Sequence, residues 1–225
     1  MIAVLASSKG ELVPAEQVPQ VYRASIGWFA IGVGKVQASL NTHRIIGEFR
    51  PTGIIGTGTC GAVDPRMQVG DLVLASETVD YDLDLRRFGL DRGTTFDKDG
   101  NRIGTLRLDV SWFPPPASDM IFEGRRVWHQ VRIGSADRFL VAADRQENPW
   151  IAGEMHIGAV DMESHAIAAT AFATGIPVSI VRVVSDTHRG ERPRSYASFL
   201  AHAAASVMRF VIQYSLPNEK SPTIL

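Results

Sequence analysis

The sequence predicts an α/β sandwich around a largely parallel sheet, and three observations carry that expectation. Short, β-rich apolar runs alternate with segments of helical period, the pattern of strand–helix–strand units. A helical segment near residue 170 stops at Gly175, with Pro177 opening an apolar run directly after it. The 225 residues contain no repeat, low-complexity block or linker, so the chain reads as one domain over residues 1–225 with enough length for a large core.

Taken in order, IAVLA (Ile2 to Ala6) reads as a buried strand and WFAIGVG (Trp28 to Gly34) as a second strand ending in a glycine turn. KVQASLNTHRIIGEF (Lys35 to Phe49) carries Val36, Leu40, Ile45, Ile46 and Phe49 at close to helical spacing. TGIIGTG and DLVLASETV (Asp71 to Val79) supply two more strands. From Asp80 to Pro116 the pattern is irregular, with a hairpin turn expected at KDGN (Lys98 to Asn101). That stretch is too long for an ordinary connection, and is expected to be functional or partly disordered. HQVRIGSA (His129 to Ala136) is a strand, MESHAIAATAFATG (Met162 to Gly175) a helix, PVSIVRVVSD (Pro177 to Asp186) a buried strand, and RSYASFLAHAAASVMRFVIQYS a long closing helix. The tail LPNEKSPTIL is expected to be loose.

Composition excludes several classes. Lys plus Arg is 23 and Asp plus Glu is 24, a net charge of −1, with none of the basic excess that marks a nucleic-acid partner. The single cysteine, Cys60, allows neither an internal disulfide nor a cysteine-rich zinc site, and suits a reducing compartment. No two of the six histidines have the i, i+4 spacing of a zinc helix, so no metal site is expected. The N-terminus lacks a basic stretch ahead of its short apolar run, and the late apolar tract is broken by His202, Arg209 and Gln213. A soluble cytoplasmic protein without membrane contact is the expectation.

GTGTCG (Gly56 to Gly61) fits the dinucleotide fingerprint G-x-G-x-x-G. A pyrophosphate, however, needs a helix to start at the third glycine. Pro65 and Gly70 interrupt the segment that follows, and a strand begins near Asp71. The expected arrangement is therefore strand, loop, strand. The glycines instead let the backbone turn and approach a ligand closely at a strand end, where open α/β sheets bind.

Four motifs in order, IGVGKVQAS (Ile31 to Ser39), GTGTCGAVDPRMQVGDLVLAS, AVDMESHAIA (Ala159 to Ala168) and VRVVSD (Val181 to Asp186), resemble the nucleoside phosphorylase/nucleosidase superfamily, and most closely its 5′-methylthioadenosine/S-adenosylhomocysteine nucleosidase branch. The resemblance runs from Ile2 to about Ala205 and is weakest between Gly89 and Arg132. It implies a three-layer α/β/α sandwich with a mixed, curled sheet, a homodimer, no metal or organic cofactor, and hydrolysis of the N-glycosidic bond of adenine thionucleosides by water.

Breaking that bond leaves an oxocarbenium-like ribosyl group and a poor leaving base, so two carboxyl groups in separate roles suit the chemistry. Asp186, ending a buried strand, matches the aspartate that protonates purine N7, with Ser185 beside it to fix its orientation. Glu11, in the first loop ASSKGEL, matches the glutamate that activates water, although the family's loop there is more acidic. Glu163 matches the carboxylate that accepts the ribose hydroxyls, with Met162 packing against the sugar and Arg182 as a carboxylate partner from the neighbouring strand. Asp161 stands where the family more often has glutamate. Thr59 replaces a serine that contacts water or ribose, and Gly61 closes the same loop. Phe139 and Leu140 match a pair that stacks on adenine, Tyr196 an aromatic near the 5′ side, and Phe88 a loop aromatic that reaches into the partner's site.

Water is favoured over phosphate as nucleophile. A phosphate dianion needs arginine donors, none occurs from Gly53 to Ala62, and Glu11 would repel the anion. HRGERPR (His188 to Arg194) reads as a solvated basic lid, with a phosphate site as the less favoured reading. The departure from the branch pattern between Gly89 and Trp128 leaves the 5′ substituent open. A futalosine hydrolase or related purine nucleosidase is the alternative, and a nucleoside-binding protein with little turnover a further one.

Overall fold

The computed structural model describes residues 1–109, 121–122, 125–126 and 128–215. The expected tail and the WFPPP segment lie outside them. Nine strands form the main sheet: β1 (Ile2–Ala6), β2 (Ile26–Ala30), β3 (Gly53–Gly56), β4 (Thr59–Ala62), β5 (Leu72–Asp80), β6 (Leu106–Arg107), β7 (Trp128–Ser135), β8 (Ile157–Asp161) and β9 (Val178–Asp186). The helices are α1 (Lys35–Phe49), α2 (Ala142–Glu147), α3 (Trp150–Gly153), α4 (Ser164–Thr174) and α5 (Tyr196–Ser215).

The sheet order is β2-β1-β3-β9-β4-β8-β7-β5-β6. Strand β9 also pairs antiparallel with β5 through Val181↔Leu74 and Val183↔Leu72, closing β9, β4, β8, β7 and β5 into a ring. The sheet is mixed: β8 runs antiparallel to β4 and β6 antiparallel to β5, while β1, β2, β3, β9 and β4 are parallel. The curled, mixed sheet is the architecture that the resemblance implied.

Alternation along β9 separates two cores. Val178, Ile180 and Val184 face one with Ala38 and Ile45 of α1 and Ala166, Ile167 and Ala171 of α4. Val181 and Val183 face the other with Ala203, Val207, Phe210 and Val211 of α5. Helices on both faces of the sheet make the three layers. Helix α1 ends at Arg50 in the left-handed conformation, and α4 ends at Gly175 with φ of 70°.

The sequence misplaces some elements. The second strand lies at Ile26–Ala30 rather than 28–34. Thr59–Ala62, expected in a loop, forms β4, and β8, α2 and α3 were not anticipated. The stretch after Asp80 contains a helical turn at Arg86–Phe88 and a small hairpin pairing Thr95–Phe96 with Arg102–Ile103, turned at the KDGN position.

Candidate active site

A cavity of about 280 Å³ opens among the ends of β1, β4, β8 and β9. Ten of the eleven sequence-predicted site residues line it: Glu11, Thr59, Gly61, Phe139, Leu140, Met162, Glu163, Ser185, Asp186 and Tyr196. Phe88 does not; it lies in the turn after β5 and is 77% exposed.

At one side stands Glu11. The short helical turn Lys9–Glu11 brings it back over β1, where it is buried. Its Oε1 accepts from the Thr59 amide at 2.8 Å and the Thr59 hydroxyl at 3.0 Å. Its Oε2 accepts from the Ser8 amide at 3.2 Å and from the Ser7 hydroxyl. Four donors on one carboxylate fix its position. The Thr59 hydroxyl also lies 3.4 Å from the Tyr196 hydroxyl.

Glu163 is set by the turn between β8 and α4. Asp161 Oδ1 accepts from the amides of Glu163 at 3.2 Å and Ser164 at 3.1 Å, the capping that an aspartate before a helix supplies. Glu163 Oε1 accepts from the Gly34 amide at 3.0 Å, tying it to the start of α1. Arg182, 1% exposed, pairs with Asp161 at 2.9 Å and lies 3.7 Å from Glu163. It also donates to Thr57 O at 2.6 Å and Ser164 Oγ at 3.1 Å. Burial pushes the Glu163 carboxyl up to about 7, outweighing the opposing Arg182 charge.

Asp186 stands at the end of β9, where the register with β4 slips between Val184 and Asp186. The slip is a bulge, a device that re-aims side chains beside sites. The Ser185 hydroxyl donates to Asp186 Oδ1 at 2.9 Å. Arg145 of α2 donates to Asp186 Oδ2 at 2.5 Å. Sequence reasoning missed Arg145 and the buried Tyr81, both of which line the cavity. Neither residue has a spacing signal, because each enters through tertiary packing of α2 and of the end of β5. Cys60 is buried in the wall, and burial pushes its thiol up, away from nucleophilic use. Among the described residues no group of His, Cys, Asp and Glu is arranged to hold a metal.

A family profile described as the phosphorylase superfamily matches residues 13–214. The chain is 32% identical to the 5′-methylthioadenosine/S-adenosylhomocysteine nucleosidase of Actinobacillus succinogenes over 188 residues, 80% of this chain and 76% of that protein. It is 30% identical to the protein of the same name from Staphylococcus aureus (strain JH9) over 178 residues, 78% of this chain and 74% of that one. A crystal structure of the Campylobacter jejuni nucleosidase of this name superposes with a TM-score of 0.78 at 23% identity, covering 94% of this chain and 96% of that one. Futalosine hydrolase of Helicobacter pylori superposes with a TM-score of 0.74 at 20% identity, over 94% and 95% of the two chains. With the ringed sheet and a profile match over nearly its whole length, the chain belongs to the phosphorylase superfamily.

Proposed function

We propose that this protein is an N-glycosyl hydrolase that cleaves 5′-methylthioadenosine and S-adenosylhomocysteine, the nucleosides named in its curated relatives, and releases adenine. The observation that carries the reading is the pair of carboxylates, Glu11 and Asp186, lining one cavity on separate hydrogen-bond networks. Glu11 takes the proton of the attacking water, held with the help of Thr59. Glu163 accepts the ribose hydroxyls, and Met162 packs on the sugar. Phe139 and Leu140 flank the base, and Asp186 delivers a proton to N7 as the C1′–N9 bond breaks. Water is favoured as nucleophile: the groups that hold Glu11, from Ser7, Ser8 and Thr59, are uncharged, and the arginines that line the cavity are engaged with carboxylates, Arg138 with Asp144 and Arg145 with Asp186.

Two copies are expected to assemble through the exposed apolar side chains Val33, Val36, Leu40 and Phe88, with Phe88 reaching the partner's cavity. Val33 and Phe139 are both exposed and both line the cavity, which supports a shared site. No helix among the described residues is long and apolar enough to cross a membrane, and the lone buried cysteine suits the cytoplasm.

A panel of 5′-substituted nucleosides, assayed with and without phosphate, tests the reading. Adenine should leave methylthioadenosine without phosphate. Cleavage only with phosphate would make the protein a phosphorylase, and cleavage of futalosine alone would move it to the sister activity. Asp186→Asn should lose hydrolysis and keep nucleoside binding, and an unchanged rate would remove Asp186 from its role.

A further inference from the structure

Beside the cavity, one lysine gathers three aspartates from separate segments. Lys35 is the first residue of α1. Its Nζ donates to both Asp80 oxygens, at 2.9 and 3.0 Å, and to Asp82 Oδ1, and it lies 4.0 Å from Asp137 Oδ2. Asp82 Oδ2 accepts from the Asp137 amide at 2.9 Å, and Asp137 Oδ1 accepts from the Lys35 amide at 2.7 Å. The Lys35 and Asp80 side chains are only 20% and 17% exposed, so their pairing is screened less than that of a surface pair.

Each of these segments also builds the cavity. Val33 lines the wall just before α1, Tyr81 stands in it between Asp80 and Asp82, and Asp137 leads directly into Arg138, Phe139 and Leu140. Gly34 gives α1 no capping side chain, so Asp137 caps the helix from another segment. The glycine has φ of 86°, and a Cβ there would stand 2.9 Å from Asp137 Oδ1, so its absence lets the aspartate reach the Lys35 amide. The neighbouring Gly34 amide donates to Glu163 Oε1 at 3.0 Å. Two consecutive amides at the start of α1 therefore hold the two parts of the site, Lys35 N–H the loop of Phe139 and Leu140, and Gly34 N–H the carboxylate Glu163.

The charges show why the lysine is needed there. Burial pushes the Asp80 carboxyl up to about 6, with Asp82 adding to the push and Lys35 opposing it. Without the ammonium the aspartates repel one another. Asp137, at 48% the most exposed of the three, has the most room to move, and it carries the loop with it.

We propose that Lys35 is a positioning residue for nucleoside hydrolysis: through Asp82 and Asp137 it holds the loop that flanks the base at a fixed separation from the carboxylate that holds the ribose. The inference rests on the nucleosidase reading of the cavity. Lys35 acts through these carboxylates and not on the substrate. Free adenine needs the loop alone, whereas a nucleoside needs loop and carboxylate at the right separation, so the two ligands read the role differently.

The test uses the full chain as wild type, Lys35→Met and Lys35→Arg, with circular dichroism melts and all rates taken well below each Tm. Hydrolysis of 5′-methylthioadenosine is measured in phosphate-free buffer, and binding of free adenine by calorimetric titration. Lys35→Met should lower kcat/KM about 100-fold, the effect of a misplacement on the order of 1 Å, with adenine affinity within about threefold of wild type. Lys35→Arg, which keeps the charge, should recover to within about tenfold of wild type. In a Glu163→Gln background the same Lys35→Met change should cost less than about tenfold, because the fixed separation has lost its ribose end.

A lower Tm with unchanged kcat/KM would leave Lys35 a purely structural residue and overturn the proposal. Equal losses for nucleoside and adenine, or a full 100-fold loss in the Glu163→Gln background, would overturn it as well. Should Lys35→Met not fold, Asp82→Ala cuts the same link and must give the same split between nucleoside and adenine; no split overturns the proposal. A wild type that cleaves no nucleoside overturns the nucleosidase reading instead. Titration of the uncleaved methylthioadenosine then decides Lys35: a greater loss for the nucleoside than for adenine supports its role, and equal or no loss overturns it.

Discussion

Replacing Glu11 by glutamine changes one atom of a side chain that four hydrogen bonds hold, and the structure gives the cost. Oε1 accepts from the Thr59 amide and hydroxyl, and Oε2 from the Ser8 amide and Ser7 hydroxyl. An amide keeps one acceptor oxygen and turns the other into a donor. Whichever way it is placed, the backbone N–H of Thr59 or of Ser8 then faces an N–H. The two hydroxyls can rotate; the backbone cannot. One unsatisfied buried donor costs about 1–3 kcal/mol. At this chain length that lowers Tm by roughly 2–12 °C. The attacking water loses its proton acceptor at the same time, so kcat should fall about 10²- to 10⁴-fold, with KM within about threefold of wild type. Adenine release from methylthioadenosine, followed alongside a thermal melt of Glu11→Gln, reads both effects. A Tm drop of the expected size with kcat within about threefold of wild type would show that Glu11 braces Thr59 and does not act on water.

Three other perturbations separate the parts of the cavity. Glu163 is held up to about 7 by burial, so nucleoside affinity should rise as pH increases through that value and the carboxylate forms; Glu163→Gln should flatten the profile. The same shift means that the folded state binds more protons than the unfolded chain between the ordinary 4.5 and about 7, so this group's contribution to stability should fall across that interval, as a pH series of melts would reveal. Arg182→Met leaves Asp161 buried beside Glu163 without its cation, and should cost about 3–5 kcal/mol in denaturant unfolding. Gly61→Ala places a methyl against Arg145 Nη2 and 3.2 Å from Asp186 Oδ2, and should displace the guanidinium from that carboxylate and slow adenine release from methylthioadenosine, read by the same assay beside a thermal melt.

Elements with a strong period and a glycine stop were legible from residues alone. Helix α1 spans Lys35–Phe49 as its spacing predicts, and Gly175 ends α4 in the left-handed conformation that glycine adopts without penalty. Strands β4 and β8 were not legible, because TCGA and IGAVD are short and each carries a glycine in its interior. They exist as strands because β9, buried along its whole length, offers β4 a parallel edge and β4 offers β8 an antiparallel one. The chemistry followed the same division. Glu11, Glu163 and Asp186 stand beside recognisable local patterns, whereas Arg145 is a lone arginine in AADRQE, and only the packing of α2 brings it to Asp186.

Gly61 connects these two kinds of information. In the sequence it completes a false dinucleotide fingerprint. In the sheet it is paired with Asp186 of β9 on one side and with Val160 of β8 on the other. Its pairing in β4 requires an ordinary strand backbone, so the glycine is not there for a turn; among the glycines with positive φ are Gly58 and Gly70, but not Gly61. What the missing side chain leaves is room for the Arg145 guanidinium to reach Asp186. The third glycine of the motif thus admits a cation from the protein itself, beside the carboxylate that ends β9. A glycine that the sequence offers as a turn close to a ligand is, in the sheet, space for the guanidinium that pairs with Asp186.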